Sequence, residues 1–194
     1  MPDPVLHLLA GPNGSGKTTL FREVIEPETG LDWINADEMA AGAGRDPERA
    51  YAAARRAARR RAQLIKAGRS CATETVFSHP SKVELVREAT DAGYLVTLHV
   101  LTVPEDLAVA RVEHRVEYGG FDVPEDKIRG RYARLWAHVA DAIALAHETY
   151  IYDNSSAGVP FRVVARFEQG RLVGNAGWPN WATRELRAAA GSLP

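Results

Sequence analysis

Gly11-Pro12-Asn13-Gly14-Ser15-Gly16-Lys17-Thr18 decides how this chain is read: a glycine, four residues, then Gly-Lys-Thr. The spacing has a physical cause. Glycines let the backbone wrap an anion with its amide N–H groups turned inward, and a helix that follows offers its positive N-terminal end to the same charge. The flanks agree: Val5 to Ala10 is a short apolar run suited to a buried parallel strand, and a helix is expected from about Lys17. In such a P-loop the lysine, Lys17, brings a point charge to the β- and γ-phosphates of a nucleoside triphosphate, and the hydroxyl of Thr18 is placed to ligate magnesium. ATP and Mg2+ are the expected ligands, with Gly11, Pro12, Asn13, Gly14, Ser15, Gly16, Lys17, Thr18 and Thr19 as the nucleotide-binding set.

Outward from the loop, strands and helices alternate. Asp32 to Asn35 reads as a second strand, followed by a loop rich in Ala and Gly and a helix from about Pro47 to Ala67. In that helix Ala50, Ala53, Ala54, Ala57, Ala58, Leu64 and Ile65 recur at helical spacing as the expected buried stripe, leaving Arg55, Arg56, Arg59, Arg60 and Arg61 mostly on a solvated face. Ser70 to Val76 is a third strand, Pro80 to about Ala92 a helix, and Tyr94 to Val103 the strongest strand signal in the chain. A helix from Pro104 to Tyr118 stops at Gly119-Gly120. The next starts near Pro124, and Ile128, Tyr132, Leu135, Trp136, Val139 and Ile143 mark its buried side. Thr149 to Tyr152 is a fifth strand; Phe161 to Phe167 and Arg171 to Val173 form a terminal hairpin; Asn180 can cap a last helix. The pattern predicts an α/β fold, a mostly parallel five-stranded sheet with helices on both faces.

Composition removes several function classes. The 194 residues fit one domain, 1–194, and 45% apolar with 25% charged residues is ordinary for a soluble globular chain. No uncharged run approaches the ~20 residues of a bilayer span, so no membrane association is expected. The opening Met1-Pro2-Asp3-Pro4 has no basic region, so no signal peptide is expected, and the single Cys71 fits a reducing cytoplasm. A net charge of −1 supplies no global field for nucleic acid, which is not an expected partner.

The remaining choice lies between motor, switch and phosphotransferase. P-loop motors place an aspartate at the end of a strand of apolar residues. The strand ending at Val103 has none, and the Asp37-Glu38 pair follows a short strand interrupted by Asn35, only 20 residues beyond Lys17. Asp37 therefore reads as a general base on an acceptor hydroxyl rather than a magnesium ligand. Glu74, followed by Thr75, ends the third strand and opens into the crevice where α/β sheets bind ligands, making both candidates for substrate binding. Arg111 and Arg115 before Gly119-Gly120, with Arg129 and Arg131 after it, have the layout of a lid, about residues 111–131, that brings positive charge over a transferred phosphoryl group.

These residues resemble the small members of the zeta toxin group of P-loop kinases. The resemblance spans about residues 5 to 155, through the P-loop, Ile34-Asn35-Ala36-Asp37-Glu38, Thr73-Glu74-Thr75, Arg115 with Gly119-Gly120-Phe121-Asp122-Val123-Pro124, and Tyr152-Asp153-Asn154-Ser155. It implies a P-loop kinase-like three-layer sandwich with a helical lid and, beyond the resemblance, a C-terminal β-hairpin and helix at about 160–190. It also implies roles: Asp37 as the base, Glu74 in the substrate cleft, Arg115 as the lid arginine, and Asn154 near the adenine. In longer toxins a second lid arginine falls where Phe121 stands; Arg131 can substitute from the next helix. The founding members phosphorylate UDP-N-acetylglucosamine, and an antitoxin is a partner the resemblance brings with it.

The leading expectation is ATP-dependent phosphorylation of a hydroxyl on a small metabolite, such as a nucleotide sugar. The competing classes are a nucleotide-operated switch that binds a protein or nucleic-acid partner, and a housekeeping nucleoside or sugar kinase. A deep acidic cleft beside the γ-phosphate is expected of a kinase, and an exposed apolar face without a cleft of a switch.

Overall fold

The central strand, β1 (Val5–Ala10), pairs in parallel with β3 (Cys71–Thr75) on one side and β4 (Leu95–Thr102) on the other. β2 (Asp32–Ile34) extends the sheet beyond β3, and β5 (Glu148–Asp153) extends it beyond β4, again in parallel. The computed structural model describes residues 2–40, 47–120 and 122–191; most of the Ala- and Gly-rich loop, and Phe121, lie outside them.

The five expected strands are present, but among the described residues the sheet has seven. β6 (Arg162–Glu168) runs antiparallel along β5, and β7 (Arg171–Leu172) along β6, giving the order β2-β3-β1-β4-β5-β6-β7. The hairpin, expected as an addition to a five-stranded sheet, continues it. The cause is the edge: β5 would end the parallel set with a row of unpaired backbone groups, and β6 satisfies them.

Side-chain alternation along β1 divides the core. Leu6, Leu8 and Ala10 point into the larger cluster, covered by α4 (Pro47–Lys66), α5 (Ser81–Asp91), α7 (Glu125–Ile143) and α8 (Arg184–Gly191). Leu9 points to the other face, against Leu20, Phe21 and Ile25. These come from the helix after the P-loop, which runs as α1 (Lys17–Leu20), a π-helical segment (Phe21–Ile25) and α2 (Glu26–Thr29). Pro27 has no N–H to return to the preceding turn, so the helix widens there. A third cluster joins Val103, at the end of β4, to Val109 and Val112 of α6 (Glu105–Glu117) and to Ile128 of α7.

Three local expectations need correction. Ala53, Ala57 and Leu64 are buried as the stripe predicts, but Ala54 and Ala58 are exposed and Arg61 is half-buried. Arg61 stands four residues after Ala57 and three before Leu64, which is the buried face rather than the opposite one. Asn35 is not the end of β2; it is the N-cap of α3 (Ala36–Met39), its Oδ1 accepting from the amides of Asp37 at 2.7 Å and Glu38 at 3.3 Å. α8 starts at Arg184 rather than beside Asn180, because Pro179 to Ala182 make a turn of their own, clamped by the Arg187 guanidinium on the Pro179 and Ala182 carbonyls. No described helix is long and apolar enough to cross a membrane.

Candidate active site

The P-loop leaves the C-terminal end of β1 between its two parallel neighbours. Three of its glycines have positive φ and no room for a side chain: a Cβ on Gly11 would lie 2.5 Å from the Leu101 carbonyl oxygen, on Gly14 2.7 Å from that of Ala108, and on Gly16 2.6 Å from Asn154 Nδ2. The loop is therefore pressed against β4, α6 and the turn after β5. Lys17 is buried, and its Nζ donates to the carbonyls of Gly11 at 3.1 Å and Pro12 at 2.9 Å. Burial lowers its pKa; Glu74 and Asp37 oppose that shift, and Arg115 and Arg131 add to it.

The loop, α3, the end of β3, α4 and the α6–α7 segment enclose a cleft of about 800 Å³. Asn13, Gly14, Gly16, Lys17, Thr18 and Thr19 line it, whereas Gly11, Pro12 and Ser15 form its backing. Asp37 and Glu38, adjacent in sequence, separate. Asp37 lines the cleft, while Glu38 turns outward to Arg22 and the Trp33 indole, each at 3.1 Å. Glu74 accepts a 2.8 Å hydrogen bond from Thr18 Oγ1, and Thr75 beside it also lines the cleft. Burial raises the Glu74 carboxyl above the usual range, against the pull of Lys17 and the Thr18 hydroxyl. The contact follows from strand order, since β3 adjoins β1 in register, with Ala10 opposite Thr75.

Of the four arginines around Gly119-Gly120, three line the cleft: Arg111, Arg115 and Arg131. A Cβ on Gly120 would collide with the Arg115 side chain, so this glycine seats the arginine. Arg131 Nη1 reaches the P-loop at Asn13 Oδ1, 3.4 Å away. Arg129 does not join them; it pairs on the outer surface with Asp106 and Glu125, both at 2.8 Å. Phe121, the family position of the second lid arginine, lies outside the described residues. Asn154 does not line the cleft either. Its Nδ2 donates to the Ser15 carbonyl at 2.9 Å and its Oδ1 accepts the Phe161 amide at 3.3 Å, so both ends of the amide brace the back of the P-loop.

Sequence reading missed Arg61, Lys82, Lys127 and Tyr51, which also line the cleft. For Arg61 a signal existed in its place on the alanine stripe; the others carry none. A cleft is present beside the P-loop, as expected of a kinase, but its described lining is basic on balance rather than acidic.

The donors fit a magnesium-bound triphosphate. The glycine cradle admits no side chain, the Lys17 ammonium is held inside the loop, and Thr18 bears a hydroxyl with a carboxylate one hydrogen bond behind it. No group of three or more His, Cys, Asp or Glu is gathered among the described residues. Magnesium does not need one, since it keeps waters and phosphate oxygens in its shell.

Strand order and loop define a P-loop kinase-like α/β fold. The chain belongs to the AAA domain family, whose profile matches residues 6–138. No curated protein sequence matches it. Among solved structures, the native complex of AvrRxo1-ORF1 with AvrRxo1-ORF2 gives a TM-score of 0.71 at 15% identity, covering 88% of this chain and 60% of that one. The same pair with ATP gives 0.69 at 14%, covering 99% and 65%. A structure from the PezAT chromosomal toxin-antitoxin system of Streptococcus pneumoniae gives 0.59 at 18%, covering 86% and 72%. This chain spans about three fifths of the length of the first of these, and at such identities the likeness is one of fold.

Proposed function

We propose that the protein transfers the γ-phosphoryl group of ATP to a hydroxyl of a small molecule. The observation that carries this reading is that Asp37, Glu74, Arg115 and Arg131 line, together with Lys17, one cleft large enough for two ligands. A carboxylate that faces an open pocket beside the P-loop is placed to act on a second ligand, as the base of a phosphotransferase does.

In this reading the P-loop amides and Lys17 bind the β- and γ-phosphates, and Arg115 and Arg131 neutralise charge on the transferred group. Thr18 Oγ1, with Glu74 one hydrogen bond behind it, would hold a magnesium ion, which would supply further charge neutralisation. Asp37 takes the acceptor hydroxyl proton, the acceptor oxygen bonds to the γ-phosphorus, the bond to the β–γ bridging oxygen breaks, and ADP leaves. The AvrRxo1 pair with ATP supports the choice of nucleotide. An antitoxin enters as a partner through the family resemblance and the PezAT likeness, and the activity does not depend on it.

The test is acceptor-dependent ADP release across a panel of alcohols. Asp37→Asn should lower kcat by roughly 10²–10⁴ with ATP affinity held within about threefold. Equal kcat in the variant removes Asp37 as the base.

A further inference from the structure

We infer that the acceptor already carries a phosphate group, and that Arg61 and Lys82 hold it on the wall of the cleft built by α4 and α5. The inference deepens the kinase reading and rests on it only for treating the bound molecule as an acceptor.

Charge balance motivates it. Among the described residues, seven basic side chains and three carboxylates line the cleft, an excess of four positive charges in a chain whose net charge is −1. A magnesium-bound nucleoside triphosphate brings roughly two negative charges, so about two positive charges are left for a second anion. Lys17, Arg115 and Arg131 cluster about the P-loop, and Arg111 and Lys127 come from α6 and α7. Arg61 and Lys82 are the cations of the opposite wall.

Geometry singles out that pair. Arg61 Nη1 donates to Thr73 Oγ1 at 3.2 Å, and Thr73 Oγ1 donates to the Ile34 carbonyl at 2.9 Å. The guanidinium is thus fixed to β3 one residue before Glu74 and beside the strand that leads to Asp37. Lys82, in the first turn of α5, is close enough for the Arg61 charge to disfavour its own, and burial weakens both. Neither is paired with a carboxylate among the described residues. Two half-buried like charges on one wall of the cleft, with no carboxylate partner among the described residues, are costly unless an anion joins them, and a phosphate dianion matches both where a carboxylate matches one. The cleft-facing row on α4 adds room: Ala54 and Ala57 stand between Tyr51 and Arg61, and their small side chains leave space for the body of the acceptor.

The experiment is a calorimetric titration of the full chain saturated with magnesium and the non-hydrolysable analogue AMP-PNP. Its probes are inorganic phosphate, glucose 6-phosphate, UDP-N-acetylglucosamine and glucose. At least one phosphate-bearing probe should bind once per chain, at least tenfold more tightly than glucose. Which probe binds best separates a monoester from a nucleotide diphosphate as the source of the anion. Arg61→Gln and Lys82→Gln should each weaken that binding about tenfold or more, with Arg61→Lys recovering part of the loss, while AMP-PNP affinity moves less than about twofold. Lys82 has no hydrogen-bond or ion-pair partner among the described residues, so its replacement should leave folding intact. Absence of any phosphate-dependent second binding event, or one indifferent to both variants, overturns the inference. AMP-PNP affinity and its loss in Lys17→Ala report separately on nucleotide binding.

Discussion

Asn154→Ala separates two accounts of one residue. Family resemblance sets Asn154 near the adenine; its hydrogen bonds tie it to the P-loop backbone. The side chain is buried, and its loss strands two backbone groups, the Ser15 carbonyl and the Phe161 amide. Each stranded buried group costs about 1–3 kcal/mol, so the ligand-free protein should lose roughly 2–6 kcal/mol. For a chain of this size, at about 2–4 °C per kcal/mol, that lowers Tm by roughly 4–24 °C. The loop that Asn154 braces must then be ordered at the expense of binding, so ATP and inorganic triphosphate should both bind about tenfold or more weakly. Differential scanning calorimetry and titration with each ligand measure the two effects. If ATP affinity falls while triphosphate affinity and Tm are unchanged, Asn154 contacts the base and the bracing account is wrong.

The buried His99 should make stability depend on acid. Its imidazole is held down to about 3 by burial and by His7, which lies 2.9 Å away; Tyr152 OH meets its other nitrogen at 3.1 Å. A lowered pKa means that the neutral ring contributes stability fully above its ordinary 6.5 and loses it as pH falls toward 3. At pH 5 the loss from this group is roughly 2 kcal/mol, read by urea unfolding at pH 7 and pH 5, and His99→Phe should flatten the difference. Glu74→Gln keeps an acceptor for Thr18 but removes the charge, so the magnesium concentration for half-maximal activity should rise about tenfold. Because the Glu74 carboxyl is raised, protonation disables it above the ordinary carboxylate range, and the acid limb of the wild-type rate profile should move to lower pH in the variant. Arg129→Ala should leave phosphoryl transfer within about twofold, since its ion pairs lie on the outer surface, whereas Arg115→Ala should lower kcat by about 10² or more.

Much of the fold was legible because local signals and tertiary structure agree. Strand-helix alternation after the glycine loop, and apolar spacing in α7, each point to what formed. The extension of the sheet by β6 was not legible, since an edge left open by β5 is a property of the whole sheet. Within the site, Lys17, Thr18 and Asp37 could be found from motif and spacing. The hydrogen bond from Thr18 to Glu74 could not, because it depends on β3 lying beside β1. Arg61 was obscured by its neighbours: four other arginines invite a solvated-face reading, and only its register against Ala57 and Leu64 reveals the inner position.

The most direct test of the central claim is a mass-resolved reaction of the protein with γ-labelled ATP, magnesium and a pool of cell metabolites, run in parallel with Asp37→Ala and Lys17→Ala. The account predicts one metabolite class gaining a single labelled phosphoryl group with the wild type and with neither variant. Label released only as free phosphate, at a rate Asp37→Ala does not change, would contradict it.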